Sequence, residues 1–208
     1  MEKVDFKKTL KQLYVPSAKA FCIIDVPKMQ FLKVDGTGDP NNSAGYKSAV
    51  EWLYSVSYPV KFMSKKQFEK DYAVPPLEGL WWADEISDFV SGDKDKWSWT
   101  MMIMQPDWIT GEMIAAGIEK AGKKLGEPPE SLRFESFEEG KCVQIMHVGP
   151  YDAEGPVIAK MHNEFLPANG LVENGLHHEI YLGDPRKTAP EKLKTVLRQP
   201  VKEVIPGL

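Results

Sequence analysis

Two periodicities alternate along this chain. Where apolar and polar residues alternate every second position, a strand is expected; where apolar residues return every third or fourth position, a helix. Residues 21–26 (FCIIDV) and 30–35 (QFLKVD) read as two strands of a hairpin joined around Pro27-Lys28. They end at Gly36-Thr37-Gly38-Asp39-Pro40, which is turn chemistry. A helix follows in SAGYKSAVEWLYSV, with Tyr46, Val50, Leu53 and Tyr54 on one face. After it come two more strands, LEGLWWAD and KWSWTMMIMQP, the first preceded by an apparent insertion, KFMSKKQFEKDYAVPP.

The same order then recurs. Residues 132–137 and 142–148 predict a second hairpin, joined by EEGK and ending at Gly149-Pro150-Tyr151-Asp152. The segment GPVIAKMHNEFLPANG predicts a helix stopped by Asn169-Gly170, and HHEIYLGDP and KLKTVLRQP supply the last two strands. The endings correspond: Trp82-Ala83-Asp84 with Leu182-Gly183-Asp184, and Met104-Gln105-Pro106 with Arg198-Gln199-Pro200. The chain therefore reads as an α+β protein made of two copies of one unit, each with one helix. Copy one covers residues 20–106, a linker helix residues 107–125, and copy two residues 131–202. Asp107 would cap the linker helix and Gly126-Glu127-Pro128-Pro129 would end it. Antiparallel sheets with helices packed on one side follow from this order, with a pseudo-twofold ligand cleft expected at the seam of the copies.

Strand alternation assigns the faces. His177, Glu179 and Tyr181 share one face, and Ile180 and Leu182 the other, where a helix is expected to pack. In the repeat register Gly79 takes the place of Glu179, leaving space there, and Trp81 takes that of Tyr181. Trp97, Trp99, Met101 and Ile103 share a face in the following strand. Trp82 points away from Trp81 in a regular strand, and a bulge at Gly79 would bring it round; the same irregularity decides whether Glu78 is a second functional carboxylate.

Composition narrows the classes. The net charge of -4, with no basic cluster, argues against nucleic-acid binding. No apolar run approaches the roughly 20 residues of a membrane span. The charged start MEKVDFKKTLKQLY lacks the apolar core of a signal peptide, and Cys22 and Cys142 read as buried free thiols, so a cytoplasmic location is the expectation. No spacing of His and Cys fits zinc, and the adjacent His177 and His178 point to opposite faces of a strand.

There are 6 Trp and 7 Tyr, and four of the Trp are Trp81, Trp82, Trp97 and Trp99. Such rings make a core more often than a pocket. A carboxylate among them would serve as counter-charge to a cationic ligand, or, if burial raised its pKa, as a base. His147 reads as a hydrogen-bonded structural residue, Tyr151 as a turn residue or a ligand contact, and Asp39-Pro40 and Asp184-Pro185 as turns.

The segments EEGKCVQIMHVGPYD, HHEIYLGDPRK and PEKLKTVLRQPV resemble the GyrI-like small-molecule-binding domain, and FLKVDGTGDPN, LEGLWW and WSWTMMIMQPD resemble a standalone subgroup of that family. The resemblance runs over residues 21–201 and implies duplicated βαββ units of SHS2 type with a ligand cleft between them. In members fused to transcription regulators, an acidic residue late in the second copy faces cationic aromatic drugs; the matching position is Glu179, with Tyr181 two residues on. Unlike those regulators, this chain shows no helix-turn-helix candidate before Phe21, so it looks like the ligand-binding part alone. The standalone subgroup is associated with hydrolysis of cyclopropane-bearing, DNA-alkylating natural products. The resemblance thus implies Glu179 and Tyr181 as catalytic residues, Trp81, Trp82, Trp99, Tyr151, Met101 and His147 as ligand contacts, a planar aromatic or cationic small molecule as partner, and no metal or cofactor. A monomer or weak homodimer is expected. The alternatives are a non-catalytic module that sequesters xenobiotics and an interaction protein whose Trp stripe is an interface.

Overall fold

The computed structural model describes residues 3–83 and 94–204. In chain order its elements begin with β1 (Lys3–Val4), α1 (Phe6–Thr9), α2 (Lys11–Tyr14), β2 (Cys22–Val26), β3 (Met29–Thr37), α3 (Ala44–Phe68), β4 (Asp71–Tyr72), β5 (Leu77–Ala83) and β6 (Trp97–Gln105). They continue with α4 (Gly111–Leu125), β7 (Arg133–Phe137), β8 (Gly140–Val148), α5 (Gly155–Lys160), α6 (Leu166–Ala168), β9 (Leu171–Glu173), β10 (His177–Tyr181) and β11 (Lys194–Glu203). A π-helical turn, Met161–Phe165, joins α5 to α6. Asp84, matched to Asp184 in the repeat, lies outside the described residues.

The alternating segments form strands and the helical segments form helices, in the expected α+β order, but the expected hairpins do not form. Among the described residues β2 pairs with β8, Cys22 opposite Gln144, and β7 pairs with β3, Phe137 opposite Met29. The first strand of each copy is therefore exchanged into the other copy's sheet. The connections explain it. A two-residue hairpin needs residues that tolerate positive φ, and Pro27-Lys28 offers a fixed negative φ instead. In the EEGK connection Gly140 does adopt φ 67, but Glu139 is drawn into the protein interior.

Two compact units result: Met1–Thr9 with Met29–Phe137, and Leu10–Lys28 with Glu138–Leu208. The first carries an antiparallel sheet in the order β5-β6-β3-β7, plus a short parallel pair of β1 and β4. The second carries the order β10-β11-β8-β2, with β9 paired to the end of β11.

In the first unit, Ser43 caps α3 by accepting from the Tyr46 amide at 3.2 Å. The helix continues through Pro59 and ends at Glu69, whose φ is 54, so the first half of the apparent insertion is helical. The helix expected over residues 107–125 is shorter, and Thr110 caps it in place of Asp107. It is also no free linker: α4 packs on α3, where a Cβ on Gly117 would meet Val60 at 2.9 Å.

In the second unit the helical segment covers Val143, Ile145, Leu197 and Val201, with Met161 and Leu166 reaching into that core. The opposite sheet face carries a buried polar network beside Ile180, Val196 and Met146. Arg198 is buried and its guanidinium donates to Glu139 Oε2 at 3.0 Å, Gln144 Oε1 at 3.1 Å and the Leu13 carbonyl at 2.8 Å. His178 Nδ1 lies 2.8 Å from Glu139 Oε1. Gln144 in turn donates to the Gln12 carbonyl at 2.7 Å. This network fastens the segment around α2, with its buried Leu13 and Tyr14, onto β8 and β11. Burial alone would raise the Glu139 carboxyl, but His178 and Arg198 overcome it and bring it down from 4.5 to about 2.

Removing one partner of a buried pair strands the other's charge. Arg198→Met is therefore expected to lower unfolding free energy by about 3–5 kcal/mol in urea titrations. A depressed folded-state pKa gives stability that is present above the unfolded value and lost as pH falls through the folded one. Wild type should thus lose stability as pH drops from 4.5 towards about 2, and Glu139→Gln should flatten that part of the profile.

Candidate functional site

The second unit carries the acidic cluster. In β10, Glu179 lies directly opposite Leu197, which lies opposite Ile145 in β8. Paired residues project to the same side, so Glu179 shares the face that the α5–α6 segment covers. This reverses the expectation that the helix would pack on Ile180 and Leu182. Ile180 pairs with Val196 and Met146 on the other face, along with His178 and Arg198. The grouping of His177, Glu179 and Tyr181 on one face does hold.

The Glu179 side chain is 16% exposed, and its two oxygens are treated differently. The Tyr181 hydroxyl donates to Oε2 at 2.8 Å, while His177 Nε2 stands 3.4 Å from Oε1. Tyr151, in the 3-10 turn before α5, sets its ring edge-on to Tyr181 with centroids 5.6 Å apart. Burial, reinforced by the carboxylates of Glu154, Glu179 and Asp184, pushes the Tyr151 phenol up to about 12, so it stays a proton-bearing donor at neutral pH. The next row of the sheet holds Tyr181, Thr195 and His147 side by side. His147 Nε2 is 3.1 Å from the Pro150 carbonyl, a contact that fixes the turn presenting Tyr151. Asp184 is also a turn residue, accepting from the Arg186 amide at 3.0 Å, and its hydrogen bonds to Arg186 hold its carboxyl at about 2.

The first unit carries the aromatic cluster. Trp81 pairs with Trp99, which pairs with Gly36, and Tyr46 of α3 covers this row. The Tyr46 ring stacks on Trp81 at 6.3 Å and meets Trp99 edge-on at 5.3 Å, and the Trp99 indole donates to the Gly38 carbonyl at 3.2 Å. Trp81, Trp99 and Met101 are 5%, 1% and 0% exposed, so they form a packed layer. Gly79 leaves no open space, because a Cβ there would meet the Trp81 indole nitrogen at 2.7 Å. Pairing is regular from Leu77 to Ala83, without a bulge, so Trp82 and Glu78 both stand on the face opposite Trp81. Glu78 is fully buried there, in the row of Met102 and Lys33. Among the described residues, α3 carries open aromatic surface of this unit: Tyr54 stacks on Tyr58 at 6.1 Å and Phe62 is exposed.

Cavities among the described residues include one in each unit. One of about 400 Å³ in the first unit is lined by Gly36, Ser48, Trp99 and Pro128 among others. One of about 550 Å³ in the second is lined by Phe21, Ile145, Pro156, Val157 and Phe165 among others. Neither is lined by Glu179 or Tyr181. Among the described residues no set of three or more His, Cys, Asp or Glu could hold a metal ion, and no helix is long and apolar enough to cross a membrane.

Residues 20–202 match the GyrI-like small molecule binding domain, and the chain belongs to that family. An uncharacterized conserved protein from Listeria innocua is 44% identical, with a TM-score of 0.87 over 96% of this chain and 100% of that one. A hydrolase from the same organism is 43% identical, with a TM-score of 0.85 over 97% of this chain and 100% of that one. The C-terminal domain of EcmrR is 12% identical and shares the fold, with a TM-score of 0.57 over 89% of this chain and 98% of that one. A search of curated proteins returns no match.

A direct check on the aromatic layer is Gly36→Ala, whose Cβ would fall 2.2 Å from the Trp99 ring. Overpacking of this kind costs roughly 1–3 kcal/mol or more, so the variant should unfold at lower urea and lose part of its near-ultraviolet Trp dichroism.

Proposed function

We propose that this chain is a hydrolase that opens a strained cyclopropane conjugated to a ring carbonyl in planar, DNA-alkylating compounds. The observation that carries the reading is the asymmetric carboxylate: Tyr181 occupies Glu179 Oε2 at 2.8 Å, which leaves Oε1 as the oxygen that takes a proton. The name hydrolase borne by a relative at 43% identity supports catalysis in this family branch.

In the proposed reaction Glu179 takes a proton from water as the water oxygen bonds to the cyclopropane methylene. The ring carbon–carbon bond breaks, and its electron pair moves through the conjugated system to the carbonyl oxygen. Tyr151, held in its protonated form, donates a hydrogen bond to that oxygen as it becomes negative. The proton on Glu179 then passes to this oxygen through solvent, giving a phenolic product heavier by one water and restoring the base. Tyr181 fixes the carboxylate rotamer. The strain of the substrate drives the step, so no nucleophilic side chain is required.

The test is incubation with a duocarmycin-type cyclopropane compound followed by mass spectrometry. Wild type should add one water. Glu179→Gln should lose roughly 10²–10⁴-fold in rate while still quenching Trp fluorescence on binding, and Tyr151→Phe should lose roughly 10-fold or more. Unchanged compound that quenches both proteins alike would leave a sequestering module instead.

A further inference from the structure

The cavity of the second unit arises from an unequal count of residues on two neighbouring segments. Met146 donates its amide to the Ser17 carbonyl at 3.0 Å, and Gln144 lies opposite Cys22. Two steps along β8, from 144 to 146, are therefore matched by five along the chain before β2, from 17 to 22. The excess, residues 18–21, stands off the sheet edge as a strap. The strap is one wall of a groove, and α5 is the other, presenting Pro156, Val157 and Lys160 at helical spacing. Ile145 of β8 lies between them, and the rings of Phe21 and Phe165 meet across the groove at 5.0 Å. The π-helical turn Met161–Phe165 begins where the α5 wall ends, a geometry frequent at functional sites.

We propose that this groove binds a medium-chain carboxylate, its chain along the apolar walls and its head between Lys19 and Lys160; the inference is independent of the hydrolytic reading. The volume of about 550 Å³ lies in the range of small-molecule sites. Phe21, Ile145, Val157 and Phe165 supply apolar surface, and the charged lining residues are Lys19 on the strap and Lys160 on α5. No carboxylate lines the groove, and neither ammonium has an ion-pair partner among the described residues. The two lysine stems extend the apolar walls while their heads stay in water, where the two oxygens of one carboxylate can accept from both. Glu179 belongs to a different place on the same sheet: buried Leu197 separates it from Ile145. A carboxylate ligand is repelled by the acidic cluster around Glu179 and drawn to the groove, so the sign of the ligand's charge sorts the two sites.

The test is a heteronuclear NMR titration of the full chain with decanoate, and with decyltrimethylammonium as the same chain bearing the opposite charge, both kept below micelle formation. Decanoate should bind saturably, with the largest amide shifts in residues 18–21 and 157–165. The cation should shift the same amides at least about 10-fold more weakly, the ratio two partly exposed ion pairs supply. Lys19→Gln combined with Lys160→Gln changes two exposed side chains and should weaken decanoate about 10-fold without weakening the cation. Ala20→Trp, at an exposed position of the strap, puts a ring into the groove and should weaken decanoate by about 10-fold or more with the fold intact by circular dichroism. No saturable decanoate binding, equal binding of the two ligands in the groove, shifts centred elsewhere, or a double Lys variant that binds decanoate as wild type does would each overturn the proposal.

Discussion

The second unit depends on one buried charge. Arg198 cannot shed its proton, so it must be matched where it lies, and Glu139, Gln144 and the Leu13 carbonyl match it between them. Glu139 lies two residues after β7, at the point where the chain leaves the first unit's sheet for the second's. His178 shares its carboxylate, and His178 is the neighbour of both His177 and Glu179. The network therefore holds β10 from its back face. The strand that offers Glu179 on its front face is set in register by a residue pointing the other way.

Strand exchange is the second consequence of that crossing. The hydrophobic pattern predicts each strand correctly, because alternation depends only on having one buried face. It does not say which neighbour a strand pairs with. Proximity along the chain favours hairpins, and two details opposed it: a Pro-Lys connection unfit for a tight turn, and a turn acid with a buried partner 59 residues away. The first was visible in the sequence. The second was hidden, since Glu139 sits in a charged tetrapeptide that reads as a solvated turn.

The candidate site shows the same division. The shared face of His177, Glu179 and Tyr181 was legible from period two. The side on which the helix packs was not, because Ile180 and Leu182 look like the natural helix contact; the register with Leu197 and Ile145 decides it. Gly79 misled in another way. A missing side chain reads as space in a sequence, but here the ring of Trp81 fills it. Tyr46 and Thr195 were missed because helix and sheet neighbours far apart in the chain bring them to the site rows.

The central claim is that Glu179 acts on water and is not itself the attacking group. The most direct measurement is a single turnover with enzyme in excess over a cyclopropane compound, run in water enriched in oxygen-18. The account predicts that the first product molecules carry the heavy oxygen. Product carrying ordinary oxygen from the first turnover, with the heavy isotope found afterwards in the peptide containing Glu179, would show that the carboxylate bonds to carbon and would contradict it.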